Sequence, residues 1–266
     1  MATTADIARV PPVIALNTPP APFLWPAGML ALVPVYNHAH LIGPVIQGLL
    51  ALGAPVLVVD DGSTDGSGEA ARQAGAEVIT QAENQGKASA LRRGFAEAEA
   101  RGYAQVLTCD ADGQHPTSEV QVVADAARDQ PHSIVIGRRD MGCAPLLSRI
   151  GRNLSNFGSR VLCGTWPGDS QSGLRVYPIP AVNRLQVPAR RYAYEVEVLI
   201  RGVWAGLSLS PVAVQVLYPV DRVTHFRKVR DNTQATLTFF RLLGRRLLPI
   251  PHKQVVEPSE PSLSAP

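Results

Sequence analysis

The strongest constraint on this chain is an alternation. Five short β-branched runs, "MLALVPVY" (29–36), "PVLVVD" (55–60), "AEVIT" (76–80), "AQVLTCD" (104–110) and "HSIVIG" (132–137), are separated by stretches of helix-forming residues. Strand and helix in succession imply a sheet with parallel strands joined by crossover helices, so the expected class is α/β, with a central, mostly parallel sheet flanked by helices. Residues 87–101 are rich in Ala, Leu, Glu and Arg, and Pro116 suits the first turn of the next helix. Beyond 137 the regular alternation stops: the pattern predicts a helix over 146–162, a loop, a helix over 192–204, a strand over 209–217 and a final helix from about 228. A chain of 266 residues can bury a core without covalent staples.

The two ends read differently. Residues 1–27 carry six prolines, no basic start and no sustained apolar run, which predicts a disordered leader rather than a signal peptide; "EPSEPSLSAP" at the other end predicts a flexible tail over 251–266. No window of 18 apolar residues occurs, so a membrane-spanning helix is not expected. Lys and Arg exceed Asp and Glu by only 25 to 22, too weak an excess to argue for nucleic acid, but from Arg222 to Lys253 there are eight basic residues against one acid, Asp231. Cys109, Cys143 and Cys163 lack metal-ligand spacing and fit buried thiols in a reducing compartment.

In open α/β sheets ligands bind beyond the carboxyl ends of the strands, and the polar clusters of this chain fall there: "YNHAH", "DDGSTDG", "ENQGK", "DADGQH" and "GRRD" follow the five runs in order. Turn chemistry needs only two or three such residues, so five clusters point to one shared site. In "VVDDGSTDG" the turn explains Gly62 to Thr64, whereas adjacent Asp60 and Asp61 exceed its needs and can hold a ribose hydroxyl or a base N–H. A calcium loop counted from Asp61 fails, because Arg72 holds the twelfth place. "ENQGK" lacks the first glycine of a P-loop; Gly86 and Lys87 read either as a helix start facing an anion or as a plain cap with an exposed lysine. In "DADGQH", Asp110 and Asp112 lie two residues apart and can aim at one hard cation that shares its shell with substrate phosphates, with Gln114 or His115 completing the set. Such a cation would neutralise a departing diphosphate; the rival is a polar βα turn.

Taken in order, "VPVYN", "VVDDGSTDGS", "NQGKASALRRG", "DADGQHP" and "SGLR" resemble the family 2 glycosyltransferases, most of all the branch of dolichyl-phosphate mannosyltransferase and bacterial polyprenyl-phosphate glycosyltransferases. The resemblance covers about 29–222 and implies a single GT-A (Rossmann-like) domain over 28–222, a nucleotide-diphospho-sugar donor, Mg²⁺ or Mn²⁺, and transfer with inversion. It places Pro34, Tyr36, Asp60 and Asp61 in the nucleotide pocket, Asp110 near nucleotide and sugar, and Asp112 and Gln114 on the metal. Arg138, Arg149 and Arg222 match arginines that hold donor and acceptor phosphates, and Ser172, Gly173 and Arg175 match an acceptor-side loop. In "YEVEVLIR" Glu197 is the better match to an acid near the sugar and Glu195 the second. His38 stands where the family often has an acid. "VTHFRKVRD" replaces the branch's Ser-Lys pair, so His225 and Arg227 either bind phosphate or mark a different acceptor.

In "TFFRLLGRRLLP" Phe240, Leu243 and Leu247 recur at helical spacing beside Arg241, Arg245 and Arg246. A basic amphipathic helix region over 223–250 can lie on an anionic bilayer or cap the core. The expectation is a metal-dependent inverting hexosyltransferase, cytoplasmic and peripheral on the inner face of the membrane. It would act on a polyprenyl phosphate or another lipid, alone or with a membrane partner protein. Two rivals are a sugar-nucleotide pyrophosphorylase, which would want a glycine-rich basic loop where "YNHAHLIG" stands, and a non-catalytic nucleotide-sugar-binding module, which would be expected to lose a metal carboxylate.

Overall fold

The computed structural model describes residues 23–140, 146–189, 192–217 and 228–247. In chain order the elements are β1 (Met29–Val35), α1 (Ala39–Ala51), β2 (Val56–Asp60), α2 (Ser67–Gln73), β3 (Glu77–Thr80), α3 (Lys87–Ala100), β4 (Gln105–Thr108), α4 (Thr117–Ala127), β5 (Ser133–Arg139), α5 (Leu146–Cys163), β6 (Arg175–Pro178), α6 (Ile179–Arg184), α7 (Tyr192–Trp204), β7 (Ser208–Val214) and α8 (Lys228–Leu247). They build one seven-stranded sheet in the order β3-β2-β1-β4-β6-β5-β7.

The five expected strands are present and pair in parallel where they are neighbours. Val35 lies opposite Asp60, and Leu32 opposite Thr108, so the carboxyl ends of β1, β2 and β4 finish at one edge. Alternate residues of β1 serve opposite faces. Leu30 and Leu32 join the core beneath α3, α6 and α7, whereas Met29, Ala31 and Val33 join the core beneath α1, α2 and α4. A strand buried on both sides has to be apolar throughout, which is why β1 reads as an unbroken run. Each fully buried Leu or Val there contributes about 2 kcal/mol.

Three features depart from the sequence reading. The predicted loop after α5 contains β6 and α6, and β6 runs antiparallel to both neighbours, with Arg175 opposite Thr108 of β4 and Ile136 of β5. The strand expected over 209–217 ends at Val214, after which the Gln215 and Leu217 amides donate to Glu119 and to the Gln114 carbonyl. Phe23 and Trp25, assigned to the leader, pack on the core edge-to-face with ring centroids 6.2 Å apart, and Trp25 Nε1 donates to the Met29 carbonyl at 2.8 Å. Their apolar bulk outweighs the proline-rich surroundings. A third, smaller core lies between α5, α7 and α8, where Leu162, Ile200 and Leu242 are buried.

Candidate active site

The loops after β1 and β2 are laced together. Asn37, at φ 54°, donates its amide to Ser63 Oγ (3.0 Å) and accepts the Thr64 amide on Oδ1 (2.9 Å), while the His38 amide donates to Ser67 Oγ (2.8 Å). His38 Nδ1 lies 3.0 Å and 2.8 Å from the Tyr36 and Asn37 carbonyls, so that nitrogen carries the proton and the ring braces the loop. Asp60 and Asp61, expected in the nucleotide pocket, are both buried and hold backbone amides. Asp60 Oδ1 accepts the Ser63 amide (3.0 Å), and Asp61 accepts those of Gln85 (2.8 Å) and Gly86 (2.7 Å). Asp61 thereby ties the start of α3 to the end of β2. Pro34 is buried inside β1 opposite Val59 and shapes the strand end rather than offering a surface; Tyr36, just beyond, is half-buried.

At the start of α3, Lys87 reaches over the end of β4. Its Nζ lies 2.6 Å from Asp110 Oδ1 and 3.0 Å from Glu195 Oε1 of α7. Burial alone would raise the Asp110 carboxyl, but the Lys87 charge and hydrogen bond, with help from Arg139, hold it at about 2. Asp112 goes the other way: burial and the Asp110 charge push its carboxyl above the ordinary range. Gln114 stays with Asp112, its amide N–H 3.1 Å from Oδ1 and its Nε2 2.7 Å from Oδ2. His115 is pushed down to about 4, by burial first and by the Arg139 and Lys87 charges against the pull of Asp110, so it is a neutral ring at physiological pH. Its Nδ1 is buried without a hydrogen-bond partner.

The start of β6 closes the other wall. A Cβ placed on Gly173 would lie 1.9 Å from Asp110 Oδ2, so the backbone approaches this carboxylate more closely than any side chain permits. The Gly173 carbonyl accepts Thr108 Oγ1 at 2.9 Å. Just upstream, buried Asp169 is gripped by Arg139 (Nε to Oδ2, 2.7 Å) and Arg152 (Nη1 to Oδ2, 3.0 Å). Burial opposes ionisation of Asp169, but the Arg139 bond and the two guanidinium charges outweigh it and hold the carboxyl below its ordinary value.

Several expected residues take other parts. Arg175, matched to the acceptor-side loop, is fully buried; its Nη1 donates to the Glu195 carbonyl (2.9 Å) and the Tyr177 hydroxyl (3.3 Å), and its Nη2 to the Asp169 carbonyl (3.3 Å). It is a strut between α7 and the loop before β6. Ser172 is buried too. Arg138 is exposed, and its neighbour Arg139 is the arginine that joins the site, because successive strand residues face opposite ways. Glu197, the preferred acid, is fully buried against Arg201 and Arg241 on the far side of α7, whereas Glu195 faces Lys87. Arg222, His225 and Arg227, as well as Cys143, lie outside the described residues, as does the side chain of Arg149. Burial pushes the thiols of Cys109 and Cys163 up, the latter to about 12, in keeping with inert cysteines. Asp169 and Arg152 escaped the sequence reading; the only signal was the "GD" before "SQSG".

Among the described residues no group of three or more His, Cys, Asp or Glu side chains converges as a metal cage. The donor chemistry still suits a hard divalent cation. Asp112 is an anion short of counter-charge, and a cation held by Asp112 and Asp110 would relieve it, with Gln114 presenting Oε1 after half a turn of its amide. Such an ion takes its remaining ligands from water and phosphate.

A family model for glycosyl transferase family 2 matches residues 31–160. An uncharacterised protein of Methanocaldococcus jannaschii is 31% identical over 198 residues, which is 71% of this chain and 82% of that protein. The polyprenol monophosphomannose synthase of Mycolicibacterium smegmatis is 28% identical over 202 residues, covering 70% of this chain and 76% of the relative. Among solved structures, glucosyl-3-phosphoglycerate synthase of Mycobacterium tuberculosis, in complex with Mn²⁺, UDP-glucose and phosphoglyceric acid, aligns with a TM-score of 0.62 at 20% identity, covering 81% of this chain and 79% of that one. That likeness gives the sheet its GT-A architecture.

Proposed function

The chain belongs to glycosyltransferase family 2 and is a glycosyltransferase, and from that premise we propose that it moves a hexose, with inversion, from a UDP- or GDP-sugar to a polyprenyl phosphate or similar lipid. The observation that carries this reading is the meeting of Lys87, Asp110 and Glu195 beside Asp112 and Gly173 at the carboxyl edge of the sheet. The reading draws further support from the relative that is a polyprenol monophosphomannose synthase.

In this mechanism the start of α3 faces the donor diphosphate, with the helix dipole and Lys87 favouring its negative charge. Asp110, ionised at any physiological pH, orients the sugar and is itself held by Lys87 and by the close backbone at Gly173. Mg²⁺ or Mn²⁺, held by Asp112, Gln114 and Asp110, would supply Lewis-acid stabilisation to the departing nucleoside diphosphate. Charge that develops there falls among groups already in place, which is where preorganised electrostatics lowers a barrier most. A phosphate acceptor arrives ionised and needs no protein base; a hydroxyl acceptor would ask Glu195 to take its proton. Arg222, His225 and Arg227 are assigned to the phosphates. A lipid acceptor requires contact with a membrane surface, here its inner face, and no described helix is long and apolar enough to cross a bilayer.

The test is transfer of radiolabel from UDP- and GDP-sugars to polyprenyl phosphate or a membrane lipid extract in the presence of Mn²⁺. Metal-dependent label in lipid that disappears with Asp112→Asn is the expected result. Lipid label that is absent with every donor, or equal in both proteins, would overturn the reading.

A further inference from the structure

The large apolar side chains left exposed are not scattered. Phe157 (63% exposed) and Val161 on α5, Trp166 just after it, and Leu237 (64%) and Phe240 (62%) on α8 are five of the eight among the described residues. The two helices touch: a Cβ on Gly158 would lie 2.9 Å from the Phe239 ring, and Arg246 Nη1 donates to the Val161 carbonyl at 2.6 Å and also to that of Leu162. Phe157 and Phe240 are therefore sequence neighbours of one contact pair, each turned outward beside it. Helix α8 is fixed to the domain through buried Glu197 of α7, which accepts Arg241 and Arg201, so this face is a built surface rather than a loose tail.

Its charge is one-sided. No acidic residue occurs over 141–168 and Asp231 is the one acid over 222–256, while Arg160 lies over the Trp166 ring at 5.9 Å and Arg241 and Arg246 are exposed. Exposed aromatic and aliphatic side chains interleaved with arginines, on convex helices, match the interfacial zone of an anionic bilayer, where rings sit among headgroups and guanidinium groups meet phosphates. A second copy of the chain would set arginine against arginine. We propose that the outer faces of α5 and α8 together form the surface by which the protein docks on an anionic lipid bilayer.

This deepens the lipid-acceptor reading and rests on it, because the opposite face of α5 builds the site. Asn156, next to Phe157, accepts the Ser170 amide at 2.8 Å and donates to the Gly168 carbonyl at 3.2 Å, and Arg152 holds Asp169. One helix thus carries the membrane-facing side chains on one side and the loop leading to Gly173 on the other. A basic C-terminal helix acting alone would leave α5 irrelevant, and that is where the proposal can fail.

The experiment is co-sedimentation of the full chain with phosphatidylcholine vesicles, with and without phosphatidylglycerol. Two double variants, Phe157→Ser/Val161→Ser on α5 and Leu237→Ser/Phe240→Ser on α8, are compared at matched thermal midpoints. Wild type is expected to bind only the anionic vesicles, less at high salt, with each pair of substitutions lowering partitioning about tenfold. No binding of wild type to anionic vesicles, loss confined to the α8 pair, or binding only to native membranes that retain their proteins would each overturn the proposal. Transfer to detergent-dispersed polyprenyl phosphate separates the two readings. If vesicle binding follows the pattern but wild type never labels the dispersed lipid, docking stands and the acceptor assignment falls.

Discussion

Lys87 is the residue on which most of the site's electrostatics converges. It neutralises Asp110 and Glu195 at once, and its absence would leave two carboxylates facing each other near Asp112. Lys87→Met is expected to lower kcat/KM by about a hundredfold or more, as for loss of a preorganised charged donor, measured by steady-state transfer. Asp112→Asn separates stability from function. Its carboxyl is held above the ordinary range by burial and by Asp110, so the amide should leave the metal-free thermal midpoint equal or higher while metal-dependent transfer falls about a hundredfold. A lower midpoint would contradict that account of Asp112. Asp169 is the converse case. Removing its charge with Asp169→Asn takes a buried counter-ion from both Arg139 and Arg152 and is expected to cost about 3 kcal/mol by denaturant unfolding at neutral pH. Because its folded carboxyl lies below the unfolded value of about 3.9, this contribution is complete above that pH and fades as pH falls below it. The gap between wild type and variant should therefore narrow in acid.

The secondary-structure elements show what was legible in the sequence. Strands β1 to β5 announced themselves because burial on both faces leaves β1 and β2 apolar along most of their length, and because each of the five ends in a polar cluster at the edge where ligands bind. Strand β6 did not, though it is as long as β3 and β4: it begins with a buried arginine and ends in a proline, with Val176 its one β-branched residue, and Arg175 resembled a ligand because buried charges are rare. The choice between Glu195 and Glu197 was likewise illegible. Residues two apart on a helix point to nearly opposite sides, and which side faces the site depends on how α7 rolls against α3 and α8. The meeting of β4 with the start of β6 yields a prediction at this scale. Gly173→Ala would drive a methyl into Asp110, so transfer should fall at least about tenfold, with a loss of stability of about 1–3 kcal/mol from overpacking.

Across the whole molecule, α8 joins the domain through a small separate core, one buried carboxylate and the bonds of Arg246 to the Val161 and Leu162 carbonyls. Glu197→Gln is expected to speed hydrogen exchange of the α8 amides, because two arginines lose their counter-ion, while the sheet amides keep their protection. Uniform loss of protection would mean that α8 and the sheet unfold as one unit. The reversed direction of β6 has a different kind of consequence. A strand that runs against its neighbours delivers its beginning, not its end, to the edge where the parallel strands finish. The segment feeding it, from Gly164 to Ser172, therefore enters this edge from the opposite direction to the loops that follow β1, β2 and β4, and it arrives anchored: Asp169 is held by Arg139 and Arg152, and Ser170 by Asn156.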